Sequence, residues 1–140
     1  AGVCPTTTLP ITDTFTYKAR DSNGVVSTLP ATVNVTVSRQ QETQTATASA
    51  RRTNGNTRAE WTINGTTSVP RLPNGAANTV TVRLGNTGTG AFIATATPDN
   101  RGRWKISLKG STVVPPATGA QISLTSSYCN PAGPFPVTVR

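Results

Sequence analysis

The side chains that could do chemistry in this chain are few. There is no histidine, so imidazole acid–base catalysis and His-ligated zinc, copper or haem sites are excluded within it. Five carboxylates occur in all: Asp13, Asp21, Glu42, Glu60 and Asp99. They are too scattered for a calcium cage or a glycosidase pair. Serine and cysteine nucleophiles lack a histidine partner, and no Ser-Lys motif is present. The run Gly85-Asn-Thr-Gly-Thr-Gly90 lacks the Lys-Ser/Thr of a phosphate-binding loop and reads as a hairpin loop. Asp21-Ser-Asn-Gly and Asp99-Asn-Arg-Gly each supply one carboxylate and read as turns. The expectation is no enzyme, no cofactor and no metal. One covalent option stays open, a Lys–Asn isopeptide crosslink helped by a buried Glu60.

Positive charge is the strongest remaining signal. The formal net charge is +8. Residues 41–140 hold ten basic side chains against three acidic ones. Arg101, Arg103, Lys105 and Lys109 form a stripe along one segment, and Arg51, Arg52 and Arg58 flank a turn. If the two groups adjoin, they make a polyanion-binding patch, with acidic polysaccharide as the candidate ligand. The bland alternative is a solvated polar face. Nucleic acid is disfavoured, because no aromatics interleave with these cations. Trp61 and Trp104 could form a sugar platform, yet both fall in phase with aliphatic neighbours and read as core. Tyr128 is the better candidate for an exposed ring.

Cys4 and Cys129 are the two cysteines. In an exported protein they pair, closing a loop of about 125 residues. An intermolecular bridge or two separate thiols are the alternatives. No apolar run approaches the length of a membrane span, and no basic segment followed by an apolar stretch marks a signal peptide.

Composition sets the scaffold. The 140 residues include 27 Thr, 10 Ser, 12 Gly and 11 Pro, but only 34% are hydrophobic, which favours strands and turns over helices. Residues 1–12 read as an extended arm. Alternation of Phe15, Tyr17 and Ala19 with Thr14, Thr16 and Lys18 predicts a strand over 13–20. Asn23-Gly24 marks a turn, and Val33, Val35 and Val37 predict a second strand over 31–37. Residues 39–44 read as a polar linker. Seven more strands are expected between 45 and 140. Three inward rows stand out: Ala59, Trp61 and Ile63; Val80, Val82 and Leu84; Trp104, Ile106 and Leu108. Ile122 with Leu124, then a final short strand with Phe135, Val137 and Val139, complete the set. The spacing predicts an all-β fold, a sandwich preceded by an arm and a two-stranded segment.

Two stretches resemble a known class. Asp13-Thr-Phe-Thr-Tyr with Pro30-Ala-Thr-Val-Asn-Val-Thr-Val37 resembles the last two strands of bacterial cadherin-like or immunoglobulin-like modules. Trp61-Thr-Ile-Asn-Gly65 and Ile93-Ala-Thr-Ala-Thr-Pro-Asp-Asn-Arg-Gly-Arg-Trp-Lys-Ile106 are similar to bacterial immunoglobulin-like surface modules. The resemblance implies that residues 45–140 form an immunoglobulin-like antiparallel β-sandwich, in an extracellular structural module of a bacterial surface or matrix protein. Its partners would be neighbouring modules or further copies of itself. The two-stranded segment, through Phe15, Tyr17, Val33, Val35 and Val37, would then be completed by strand complementation, and filaments could follow. The alternative is an adhesion module that binds polyanion or carbohydrate through its basic surface.

Overall fold

The structure is a computed structural model that describes residues 11–37, 41–128 and 130–140. Cys4 and Cys129 lie outside the described residues, as does most of the N-terminal arm. The described chain is all-β and forms two compact units, one within 11–37 and one spanning 41–140. None of its elements is a helix long and apolar enough to cross a membrane.

The first unit is an antiparallel pair, β1 (Ile11–Tyr17) and β2 (Ala31–Val37). Phe15 faces Val33 and Tyr17 faces Ala31 across the pair, whereas Thr14 faces Asn34 and Thr16 faces Thr32. The period-2 pattern therefore yields one polar face and one mainly apolar face, the latter interrupted by Asp13 opposite Val35. Thr14 Oγ1 donates to Asn34 Oδ1 at 2.8 Å on the polar side. The β1 strand stops at Tyr17, short of the expected Arg20, because Ser27 takes over the Ala19 carbonyl in the connection.

The second unit contains β3 (Gln44–Thr53), β4 (Arg58–Thr67), β5 (Val80–Leu84), β6 (Phe92–Ala96), β7 (Arg103–Ser111), β8 (Gln121–Ser126) and β9 (Pro131–Val139). Their order is β6-β5-β8-β9-β3-β4-β7, in a sheet that curls until it is nearly barrel-shaped. All neighbours are antiparallel except β9 and β3. The β9 strand pairs with β8 through residues 131–136 and then with β3 through residues 137–139. It is longer than the short strand expected from Phe135, Val137 and Val139. Pro131, Pro134 and Pro136 obscure it in the sequence, since proline removes a ladder donor. They are tolerated because that part of β9 has a ladder partner on one side only.

The core is the inner side of this curl. Ala48, Ala50, Ala59, Trp61, Ile63, Val80, Val82, Ile93, Trp104, Ile106, Ile122 and Leu124 are buried together. These are the rows the alternation predicts. Both tryptophans belong to it, and Trp61 Nε1 donates to the Val113 carbonyl at 2.8 Å. Gly65 lies between Ala46 and Trp104 on one rung of the sheet. A Cβ there would collide with the Trp104 indole and the Thr45 carbonyl oxygen. The glycine is what lets the indole lie flat across β4.

Both Asp-x-x-Gly turns have the same wiring. Asp21 Oδ1 accepts from the amides of Asn23 and Val25, at 2.9 and 2.8 Å. Asp99 Oδ1 accepts from those of Arg101 and Arg103, at 2.8 and 2.9 Å. Gly24 and Gly102 have φ of 82° and 76° and donate to the carbonyls of Asp21 and Asp99. Each carboxylate is committed to its own loop.

Gly65→Ala is expected to lower stability by about 3 kcal/mol through overpacking. Urea unfolding followed by tryptophan fluorescence measures this, and the native emission of the variant should shift because Trp104 must move.

Candidate functional site

Strand alternation decides which side chains leave the core of the second unit. On β3 the outward residues are Thr45, Thr47 and Arg51; on β4 they are Arg58, Thr62, Asn64 and Thr66; on β7 they are Arg103, Lys105, Ser107 and Lys109. Register places Thr45, Thr66 and Arg103 in one row and Thr47, Asn64 and Lys105 in the next. Between them runs the rung Ala46, Gly65 and Trp104, whose side chains belong to the inner side. The result is an open groove of about 610 Å3, lined by these rows and Asp99. A second depression of about 220 Å3 continues past Thr47 and Asn64 to Ser49, Thr62, Thr138 and Arg140. Thr47 and Asn64 line both.

The two basic groups of the sequence do adjoin. Arg58 reaches across to the Gly110 carbonyl at 3.1 Å, next to Lys109. Arg51 pairs with Glu60 at 2.9 Å. Arg103 Nε lies 3.6 Å from Asp99 Oδ2. Lys105, Lys109, Arg101 and Arg140 have no side-chain hydrogen bond or ion pair among the described residues. Arg52 departs from the group. It is in phase with Ala48 and Ala50, it is half-buried, and its Nε has no partner among the described residues. It belongs to the other side of β3.

Tyr128 is half-buried, not the freely exposed ring expected. Glu60 is not buried either: its side chain keeps about a third of its exposure and faces outward beside Arg51. Phe15, Tyr17, Val33, Val35 and Val37 share the apolar face of the first unit. Phe15 and Tyr17 are each 53% exposed, and Val35 and Val37 are exposed as well.

The buried carboxylate is Glu42, in the stretch that reads as linker. Its Oε1 accepts from Thr67 Oγ1 at 2.5 Å and from Asn78 Nδ2 at 2.7 Å. Its Oε2 accepts from Ser126 Oγ and, at 3.4 Å, from Gln44 Nε2. Asn78 is fully buried; its Nδ2 also donates to the Val69 carbonyl and its Oδ1 accepts from Ser127 Oγ. Gln44 Nε2 also donates to the Asn130 carbonyl at 2.7 Å. A single side chain thus gathers the start of β3, the ends of β4 and β8 and the approaches to β5 and β9. Neutral donors hold it, and no cation lies against it among the described residues. Only spatial pairing across 25, 36 and 84 residues defines this cluster, so no local sequence signal marks it.

The Asp99 pKa is displaced downward from 3.8. The largest cause is the Arg103 amide, with help from the Arg101 amide and the nearby guanidinium charges; desolvation opposes them. A depressed folded-state pKa means stabilisation that is present above the ordinary aspartate value and lost as pH falls through the lower, folded value.

Compared with known proteins, the chain matches no family model, no curated protein and no solved structure.

Two outcomes follow for the carboxylates. Glu42→Ala should cost about 3 kcal/mol or more, because several buried donors lose their shared acceptor. Glu60→Ala should cost less than about 1 kcal/mol, as expected for an exposed pair. Chemical denaturation of both variants measures the contrast. For Asp99→Asn, the stability deficit at neutral pH should shrink as pH is lowered below 3.8, and a pH series of thermal melts checks that.

Proposed function

We propose that this chain is a non-enzymatic structural module of a bacterial extracellular surface or matrix protein. In this reading the second unit is an immunoglobulin-like sandwich. The strand order supports it: in this reading β6-β5-β8-β9 would make one layer and β3-β4-β7 the other, with the parallel β9–β3 contact joining them in the single curled sheet. The lack of histidine, the commitment of Asp21 and Asp99 to hydrogen bonds within their own turns, and that of Glu42 to donors from distant strands support a scaffold role. The Thr- and Ser-rich, weakly charged composition fits an exported protein.

The observation that carries the proposal is the amphipathic pair β1–β2. Two strands alone are marginal in water. This pair carries Phe15, Tyr17, Val35 and Val37 on a face that nothing within its own unit covers. Each strand is paired along its full seven residues on one side, and among the described residues no strand pairs with its other edge. The module is completed by strands of a neighbour, and for the chain alone that neighbour is a second copy. The alternative, adhesion through the basic surface, is compatible with the same architecture.

Light scattering after size exclusion of the full chain, without reductant, tests this. Species heavier than the 14.5 kDa chain are expected, reverting to 14.5 kDa in a Phe15→Lys, Val35→Lys double variant. A wild-type mass of 14.5 kDa at every concentration contradicts the assembly.

A further inference from the structure

The two depressions on the outside of the second unit form one track. It crosses four adjacent strands in the order β7, β4, β3, β9. At the usual inter-strand spacing that is a path of about 14 Å. Arg103 and Lys105 stand at one end and Arg140 at the other. Between them the walls are hydroxyls and an amide: Thr47, Asn64, Thr62, Ser49 and Thr138. The floor of the larger depression is the rung Ala46, Gly65 and Trp104, which lines it together with the polar rows on either side.

We infer that this track binds a linear acidic polysaccharide, lying across the strands. The argument is charge complementarity with spacing. Cations stand only at the ends of the track, so anionic groups must be separated by neutral, hydrogen-bonding units. A chain of uronate or sulfated sugar rings has that pattern. Its ring hydroxyls meet the Thr, Ser and Asn side chains, and its charged groups meet Lys105 and Arg140, neither of which has a side-chain partner among the described residues. Nucleic acid fits less well. Trp104 lines the larger depression, but it is only 5% exposed and Trp61 1%, so neither ring has an open face on which bases could stack. Asp99 at one end of the track would repel closely spaced phosphates, whereas anionic groups set further apart can avoid it. Every residue in the site belongs to the second unit.

The test is binding of the full chain to polygalacturonate and to dextran sulfate, with neutral dextran and duplex DNA as competitors, at low and physiological salt. Binding to at least one acidic polysaccharide is expected, weakening as salt rises. Lys105→Gln with Arg140→Gln should weaken it at least tenfold. Asn64→Leu leaves the net charge unchanged and sits on the ridge shared by both depressions; it should weaken binding several-fold. Lys18→Gln, in the other unit, should have little effect. Thermal melts verify that each variant is folded. The inference is overturned if neither acidic polysaccharide binds, or if duplex DNA competes as well as the polysaccharide does. It is also overturned if Asn64→Leu has no effect while Lys18→Gln weakens binding as much as the Lys105, Arg140 pair. That last result would mean attraction to net charge alone.

Discussion

The structure of the second unit depends on a change of partner within β9. Residues 131–136 complete the ladder of β8, and residues 137–139 run parallel to β3. Without that switch, β6-β5-β8 and β3-β4-β7 would be separate three-stranded sheets, each with an exposed apolar side. With it, Ile122 and Leu124 of β8 are enclosed together with Trp61 and Ile63 of β4. A chain that is only 34% hydrophobic has little apolar surface to spare, so enclosing both halves in one core matters more here than in an average domain. Glu42 reinforces the arrangement at one end, where its two carboxylate oxygens collect donors from β3, β4, β8 and the segment before β5.

The same switch creates the outer surface. Because the end of β9 lies beside β3, Thr138 stands level with Ser49, and Arg140 continues the row of polar side chains begun on β7. Core and surface are therefore two sides of one register. Gly65 makes room for the Trp104 indole, and the rung it belongs to lines the larger depression. A one-residue slip of β4 against β7 would exchange the two sides, placing Lys105 inside and Trp104 in solvent.

Much of this was legible in the sequence wherever period-2 alternation was strong. The rows Ala59, Trp61, Ile63 and Trp104, Ile106, Leu108 identify their strands and their inward faces, and β2 has the expected bounds. The same alternation assigns Glu60 to the outside, beside Trp61, and Arg52 to the inside, with Ala48 and Ala50. Reading Glu60 as buried and Arg52 as part of the surface patch ignored a signal that was present. Glu42 differs in kind. It sits in a polar run with no period, and its role arises from partners far along the chain, which no local pattern encodes. The extent of β9 was hidden for a third reason: its prolines argue against a strand unless one edge is known to be unpaired.

Amide hydrogen exchange at residue 140 tests the central claim most directly. The Arg140 amide donates to the Ala50 carbonyl at 2.9 Å, and the Arg140 carbonyl accepts from Arg52 at 3.0 Å. Terminal residues ordinarily fray and exchange freely. If β9 joins the two halves by docking on β3, the amides of Arg140 and Arg52 should be protected to a degree close to that of the β3–β4 ladder. Exchange at Arg140 at the rate of an unstructured terminus, with β3–β4 still protected, would contradict the account.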